Sequence, residues 1–268
     1  MAALDAVIST LEGIAPLRLA ADWDAVGLLV APRRTVVERV MTCLTLTADV
    51  AAEAAQERVD LVVSHHPLPF RPLARITGDS GPGRVLLELI HAGAGVWSSH
   101  TAWDSAAGGI NDQLAALLGL ADVAPIEPDA EVPLAGFGRV GTAPSAATVA
   151  DIARLAQQRL GCEVVQLVGA ATRPAGRLAI VCGSGGDLVE AVSRSGAATF
   201  LTGEIKLHQA VEAQAAGLAV IAVGHHASER FSMERLATRL ADAVPGLTCW
   251  ASRQERDPIT VLGREQTS

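Results

Sequence analysis

Four short stretches gather nearly all the residues of this chain that can ligate a metal or move a proton. The apolar run Leu61-Val62-Val63 ends in Ser64-His65-His66-Pro67, and Gly95–Ser99 leads into His100-Thr101-Ala102-Trp103-Asp104. Further on, Thr202 leads into Gly203-Glu204, and the run ending at Val223 leads into Gly224-His225-His226-Ala227-Ser228-Glu229. Of the seven histidines only His91 lies elsewhere, His208 sitting one helical turn past Glu204. Histidines used only for packing would not show that bias. His225 and Glu229 are four apart, so on a helix they share a face and can grip one ion. Imidazoles and carboxylates without thiolates suit Zn, Fe, Mn, Co or Ni rather than Ca or Mg. Five or more such ligands exceed what one tetrahedral zinc takes, which points to two metals about 3.5–4 Å apart, with Asp104 as a candidate bridge. Close cations repel, and Asp104 and Glu229 supply offsetting charge.

The elements that position these groups follow from hydrophobic pattern. Each stretch follows a short apolar run, and in open parallel sheets ligands bind at the C-terminal strand edge. Neighbouring side chains on a strand face apart, so His65 and His66 serve one site only if the strand breaks there, and Pro67 marks such a break. The other reading is one packed and one exposed histidine. Strands are expected at 60–64, 95–99, 163–168, 177–182, 198–202 and 218–223. Helices are expected at 48–58, 85–91, 107–118, 148–160, 187–195, 206–216 and 228–243, with a Pro/Gly-rich loop at 67–83. Strand alternating with helix at this pitch means α/β with mostly parallel sheets. Pro125, Pro128 and Pro133 mark a boundary between a first α/β domain at 1–128 and a second at 129–268, whose C-terminal segment can return to the first. The halves also run in parallel. An offset of 138 sets Ser64 opposite Thr202, and an offset of 125 sets His100 opposite His225 and Asp104 opposite Glu229.

Composition bounds the partners. The chain has 268 residues, half of them hydrophobic, and a net charge of −8, which argues against direct nucleic-acid or membrane-surface binding. Four separated cysteines without a CxxC pair read as reduced thiols, and no apolar run reaches membrane-spanning length, so the expectation is a soluble cytoplasmic protein.

Several features have two readings each. Glu204 is a general base or orients a ligand histidine, unless it caps the helix that starts near Lys206. Asp24 orders the site through a hydrogen bond to a histidine, or forms an Asx-turn. Gly183-Ser184-Gly185-Gly186 holds a phosphate or is a tight turn. His226 is a proton shuttle or merely neighbours a ligand, and Trp103 packs in the core. A Ser64–His65 nucleophile pair is poor chemistry, because no elbow glycines surround the serine.

Five motifs resemble the NIF-three-like, or YbgI-like, family, widely labelled GTP cyclohydrolase 1 type 2 homologues. They are Trp23-Asp24-Ala25-Val26-Gly27-Leu28, Ser64-His65-His66-Pro67-Leu68, His100–Asp104 with Gly108-Gly109-Ile110-Asn111-Asp112, Thr202-Gly203-Glu204, and Gly224–Glu229. The resemblance covers nearly the whole chain. It implies a toroidal homohexamer of two-domain α/β subunits with a dinuclear metal centre in each interdomain cleft. The ligands it implies are His65, His66, Asp104, His225 and Glu229, with His100 beside the metals. Ala25, Ala102-Trp103 and His226 depart from the family's usual Asn, Asn-Leu and Tyr, and these changes bear on substrate choice. The expected activity is metal-dependent hydrolysis, with His100 or Glu204 moving protons. The family label points to a small-molecule substrate, a purine nucleotide such as GTP. Phosphoester or cyclic-amide hydrolysis would use the same ligands. The competing class is a non-enzymatic metal-binding scaffold or regulator acting through protein partners.

Overall fold

Strands buried on both faces of a parallel sheet need unbroken apolar runs, and the chain supplies them twice. The computed structural model describes residues 1–262. It divides into two compact units, Met1–Gln113 with Glu127–Gly138 and Glu229–Glu255, and Leu114–Ile126 with Arg139–Ser228 and the residues from Arg256.

In the first unit a five-stranded sheet runs in the order Thr248–Ala251, Arg39–Cys43, Leu61–Ser64, Gly95–Ser98, Gly27–Val30. All neighbours are parallel except the last, which is antiparallel to Gly95–Ser98. Val40, Met41, Leu61, Val62, Val63 and Val96 are fully buried. The helices Ala48–Gln56 and Gly81–Ala92 supply Val50, Ala54 and Leu89 to the same core. Thr47 caps the first of these through Val50 N–H, Ser80 caps the second through Gly83 N–H, and Gly93 ends it in a left-handed turn at φ 80°. The expected loop at 67–83 therefore stops at Ser80. The expected helix at 107–118 is Ile110–Leu117, and a short helix that was not expected, His100–Ser105, precedes it across Gly108-Gly109. A Cβ on Gly109 would stand 2.1 Å from the carbonyl oxygen of Trp103, so only glycine lets the second helix start there.

In the second unit a six-stranded sheet runs Gln166–Val168, Ala219–Ala222, Thr199–Thr202, Arg177–Val181, Arg139–Thr142, Ala121–Ala124. Only the pairings among Arg177–Val181, Thr199–Thr202 and Ala219–Ala222 are parallel. The other three are antiparallel, so "mostly parallel" describes the first sheet and not the second. For one of the three the reason is local: Ala121–Ala124 and Arg139–Thr142 have no helix between them, and a parallel pair needs a crossover. Among the described residues no helix is long and apolar enough to cross a membrane.

Both sheets contain the same three-strand parallel core. Thr42 pairs with Val63 and Ile180 with Leu201, each residue 138 positions from its counterpart. For the third strand, Ser64 faces Ser98 and Thr202 faces Ala222, which makes that offset 124. The helices that follow start at His100 and His225, so the second copy has one more residue between strand and helix.

The C-terminal part of the first unit is fastened by carboxylates. Glu53, buried, accepts hydrogen bonds from Ser252 Oγ and from the backbone N–H groups of Arg253 and Gln254. Glu255 accepts from Leu44 N–H at 3.0 Å and Thr45 N–H at 2.6 Å, and pairs with Arg230 Nε at 2.7 Å. Burial alone would raise the Glu53 carboxyl, but the hydrogen bonds from Ser252, Arg253 and Gln254 outweigh it and hold it below its usual 4.5. A lowered carboxylate stabilises the fold above its unfolded pKa, and that contribution fades as pH falls through the folded value. Glu53→Ala should lower the unfolding free energy at pH 7 by about 2–4 kcal/mol, because it strands several donors. The loss should shrink below about pH 4.5, measured as a shift in urea midpoint at constant slope.

Candidate metal centre

The site begins where the apolar strands of the first unit end. Past Ser64 the backbone stays laddered to the neighbouring strand for two more residues, His65 N–H donating to Cys43 O and His66 N–H to Leu44 O, each at 2.8 Å. Ser98 Oγ donates to the His65 carbonyl at 2.7 Å. The chain bends at these two residues, and the histidine rings come together instead of facing apart, with centroids 5.2 Å from each other. The adjacent strand delivers His100, which enters its helix at φ 22°, outside the usual basins for a residue with a Cβ. Its ring lies edge-on, 5.2 Å from His65 and 5.5 Å from His66. One nitrogen from each of the three imidazoles falls within 4.8 Å of the others.

Two carboxylates close this cluster. Asp104 projects from the helix that His100 begins, with Oδ1 3.6 Å from His65 Nε2. Glu229, buried, places one oxygen 3.8 Å from His65 Nε2 and the other 3.1 Å from His66 Nε2. Both ring nitrogens of His65 are buried and lack a hydrogen-bond partner among the described residues. Such orphaned atoms are costly, and their surroundings state what they fit. Ligands about 2.1 Å from one ion at a tetrahedral angle stand about 3.4 Å apart. Carboxylates 3.6–3.8 Å from Nε2 are too far for hydrogen bonds. They stand close to the separation that ligands sharing a cation require, so the donor set fits a divalent metal.

Supporting contacts fix the rings. Asp24 Oδ1 accepts from His100 Nδ1 at 2.7 Å, and its Oδ2 accepts from the N–H and hydroxyl of Thr101. An ionised carboxylate only accepts, so Nδ1 of His100 carries the proton and Nε2 is its other polar atom. His66 Nδ1 meets Thr45 Oγ1 at 2.8 Å. Trp103 is buried, its indole N–H on Ser232 Oγ at 3.0 Å, which is the core role expected of it.

The second unit repeats the arrangement in reduced form. His225 Nδ1 meets Glu204 Oε1 at 2.8 Å. A Cβ on Gly203 would stand 2.9 Å from His225 Cα, so glycine there admits the helix that carries this histidine. Glu204 does not cap the helix Leu207–Ala215, whose first backbone N–H, at Lys206, goes to Gln209 Oε1 at 2.7 Å. In the Gly183–Gly186 turn, Gly183 N–H donates to Ser228 Oγ at 2.9 Å and Gly185 N–H to Thr202 Oγ1 at 3.1 Å, which suits the tight-turn reading. His208 is exposed on its helix, and His226 has Asp257 4.0 Å from Nδ1.

Of the residues singled out from the sequence, His65, His66, His100, Asp104 and Glu229 therefore meet in the first unit. His225 and Glu204 meet in the second, His225 lying four residues before Glu229 on one helix. Thr45 and Thr101 were not singled out. Their signal was position alone, since Thr45 is a polar residue just past the C-terminal end of strand Arg39–Cys43.

Residues 2–258 match the family model described as Duf34/NIF3 (NGG1p interacting factor 3). The chain belongs to this family. A Clostridium perfringens protein named GTP cyclohydrolase 1 type 2 homolog is 31% identical over 265 residues, covering 97% of this chain and 99% of that protein. A Drosophila melanogaster protein named NIF3-like protein 1 is 28% identical, covering 98% of this chain and 90% of the other. The crystal structure of a Bacillus cereus protein related to NIF3 superposes with a TM-score of 0.91 over 97% of this chain and 99% of that one, at 20% identity, which speaks for the fold. Across so wide a family the names do not fix a reaction, and the geometry of the cluster has to supply it.

Electrostatics in the cluster separate the histidines. Burial pushes the His65 imidazole down to about 4, with His66 and His100 adding to the fall and Glu229 partly offsetting it. His65 is therefore neutral at pH 7, with a lone pair available to a metal. Burial also disfavours a charged His100, but the Asp24 hydrogen bond and the Asp104 and Glu229 charges outweigh it and raise its pKa above 6.5. The two histidines give stability opposite slopes. Between about pH 6.5 and about 4 the unfolded chain binds the His65 proton and the metal-free fold does not, so stability falls with pH across that window. The His100 contribution is full below 6.5 and fades as pH rises through its folded pKa. In chelator, His65→Leu should flatten the acid-side loss, and Asp24→Asn should remove the His100 contribution, read from urea unfolding at a series of pH values.

Proposed function

We propose that this protein is a metal-dependent hydrolase of small molecules, with two divalent cations held by His65, His66, Asp104, Glu229 and His225. The observation that carries the reading is the buried imidazole of His65, neutral and without a hydrogen-bond partner, facing two carboxylates at 3.6 and 3.8 Å. Divalent ions bound there supply Lewis acidity and bring the pKa of water toward neutrality. The chain's own residues do the rest. His100, held by Asp24 through Nδ1, presents its remaining nitrogen to the cluster and moves the proton between the attacking water and the leaving group. Glu204 orients His225 by accepting from Nδ1, which leaves Nε2 as that residue's ligand atom. Asp104 and Glu229 offset the repulsion between the ions. Zn, Fe, Mn, Co and Ni all suit such a donor set.

The substrate we propose is a purine nucleotide, supported by the relatives named GTP cyclohydrolase 1 type 2 homolog. We further propose that it works in the cytoplasm as a homohexamer, a mass that sedimentation measures directly. A second reading, a metal-binding scaffold acting through protein partners, is favoured by the family's description as an interacting factor.

Chelated protein reloaded with Mn or Zn should take up two ions per chain, and His65→Ala or Asp104→Ala should take up one or none by elemental analysis. Reloaded protein should turn over at least one member of a nucleotide and phosphodiester panel, with Asp104→Ala at least about 100-fold slower. Asp24→Asn should keep both ions yet lose about 10- to 100-fold in kcat, because it releases the proton carrier and no ligand. Full metal uptake with no turnover above the Asp104→Ala background would select the scaffold.

A further inference from the structure

Two large aromatic side chains of the first unit stay in solvent beside the histidine cluster. Trp23 is 68% exposed and Phe70 54%, whereas Trp97 and Trp103 are buried. The Trp23 ring lies 6.0 Å from that of His100 at 77°, and the Phe70 ring 6.2 Å from it at 75°. Trp23 and Phe70 are 6.3 Å apart at 53°, too close and too tilted to admit a third ring between them, so their outer faces are what a ligand meets. Aromatic rings contribute most when buried, and these two leave more than half of their surface to solvent.

Their mounting is specific. Trp23 directly precedes Asp24, whose carboxylate grips both His100 and Thr101, and Ala21 N–H donates to Thr101 Oγ1 at 3.0 Å. The loop bearing the indole is thus tied to the helix bearing the proposed proton carrier through one carboxylate and one hydroxyl. Exposed charges, Asp22 and Arg71, flank the two rings in the chain. We infer that Trp23 and Phe70 form the platform on which a planar heteroaromatic ring of the substrate stacks, holding its reactive end against His100 and the carboxylates. This deepens the hydrolase reading of the same site and rests on it for what happens after binding. Stacking on a π-face tolerates any nucleobase, so the platform selects for a ring and leaves its identity to other contacts.

Electrostatics make the platform testable apart from the metals. Asp24, Asp104 and Glu229 repel a phosphate in metal-free protein and leave an uncharged nucleoside unaffected. Adenosine and guanosine, with ribose as control, are titrated into chelated and Mn-loaded protein while Trp fluorescence is followed. Trp23 is the most exposed of the four indoles and dominates solvent-accessible quenching. The nucleosides should bind in both states and ribose in neither. Trp23→Leu and Phe70→Leu should each weaken nucleoside binding about 10- to 100-fold by calorimetry, and Trp23→Phe should recover most of it. Metal uptake should match that of the parent. Unchanged nucleoside affinity in both leucine variants, or no nucleoside binding in either state, overturns the platform. So does a changed sedimentation coefficient with unaltered affinity, which would assign the rings to contact with a second copy. Nucleoside binding without metal uptake sinks the hydrolase reading and leaves the platform standing, whereas metal uptake and turnover with indifferent leucine variants do the reverse. Both replaced rings are mostly exposed, so the variants remove little packing.

Discussion

A neutral imidazole sealed from water, with neither nitrogen hydrogen-bonded among the described residues, is the constraint on which the candidate site depends. His65 sits at the end of the central strand of its sheet, its backbone ladder bonds continuing to Cys43. A protein ordinarily relieves such a group by giving it a polar partner. Here the nearest candidates are carboxylates held just beyond hydrogen-bond reach by a helix that starts at His100 and by Glu229. Donors spaced to share a cation would leave this cost in place until an ion bound and recover it then.

Around that group the fold spends its rigid parts on orientation. Asp24 fixes His100, Thr45 fixes His66 and Glu204 fixes His225, each through the ring nitrogen Nδ1. The same device thus appears on strand ends of both sheets. Glu255 ties the backbone at Leu44 and at Thr45, the residue that holds His66, so the C-terminal segment supports the site through its backbone. The glycines of the family motifs have steric duties. Gly109 admits a helix start against Trp103, and Gly203 admits the approach of the His225 backbone.

Much of this was legible beforehand because parallel strands buried on both faces must be written as apolar runs, and chemistry placed at their ends must follow those runs. The clustering of histidines after such runs located His65, His66, His100 and His225 without any coordinates. What escaped was carried by short elements. Helix His100–Ser105 is too brief to show a period, and strand Thr248–Ala251 lies far in sequence from its partner Arg39–Cys43. Thr45 and Phe70 were invisible for a related reason, since a lone threonine or phenylalanine has no pattern until its neighbours in space are known.

The sequence by itself marked the atoms that can ligate a metal, because residue type sets them, and it determined the α/β alternation, because hydrophobic period is a local property. Only the tertiary structure decided which of those residues meet, that the second sheet is largely antiparallel, and that Trp23 and Phe70 flank His100 in solvent. These are matters of contact between segments tens of residues apart. Contact of that kind follows from packing the whole chain at once, and no window of sequence contains it.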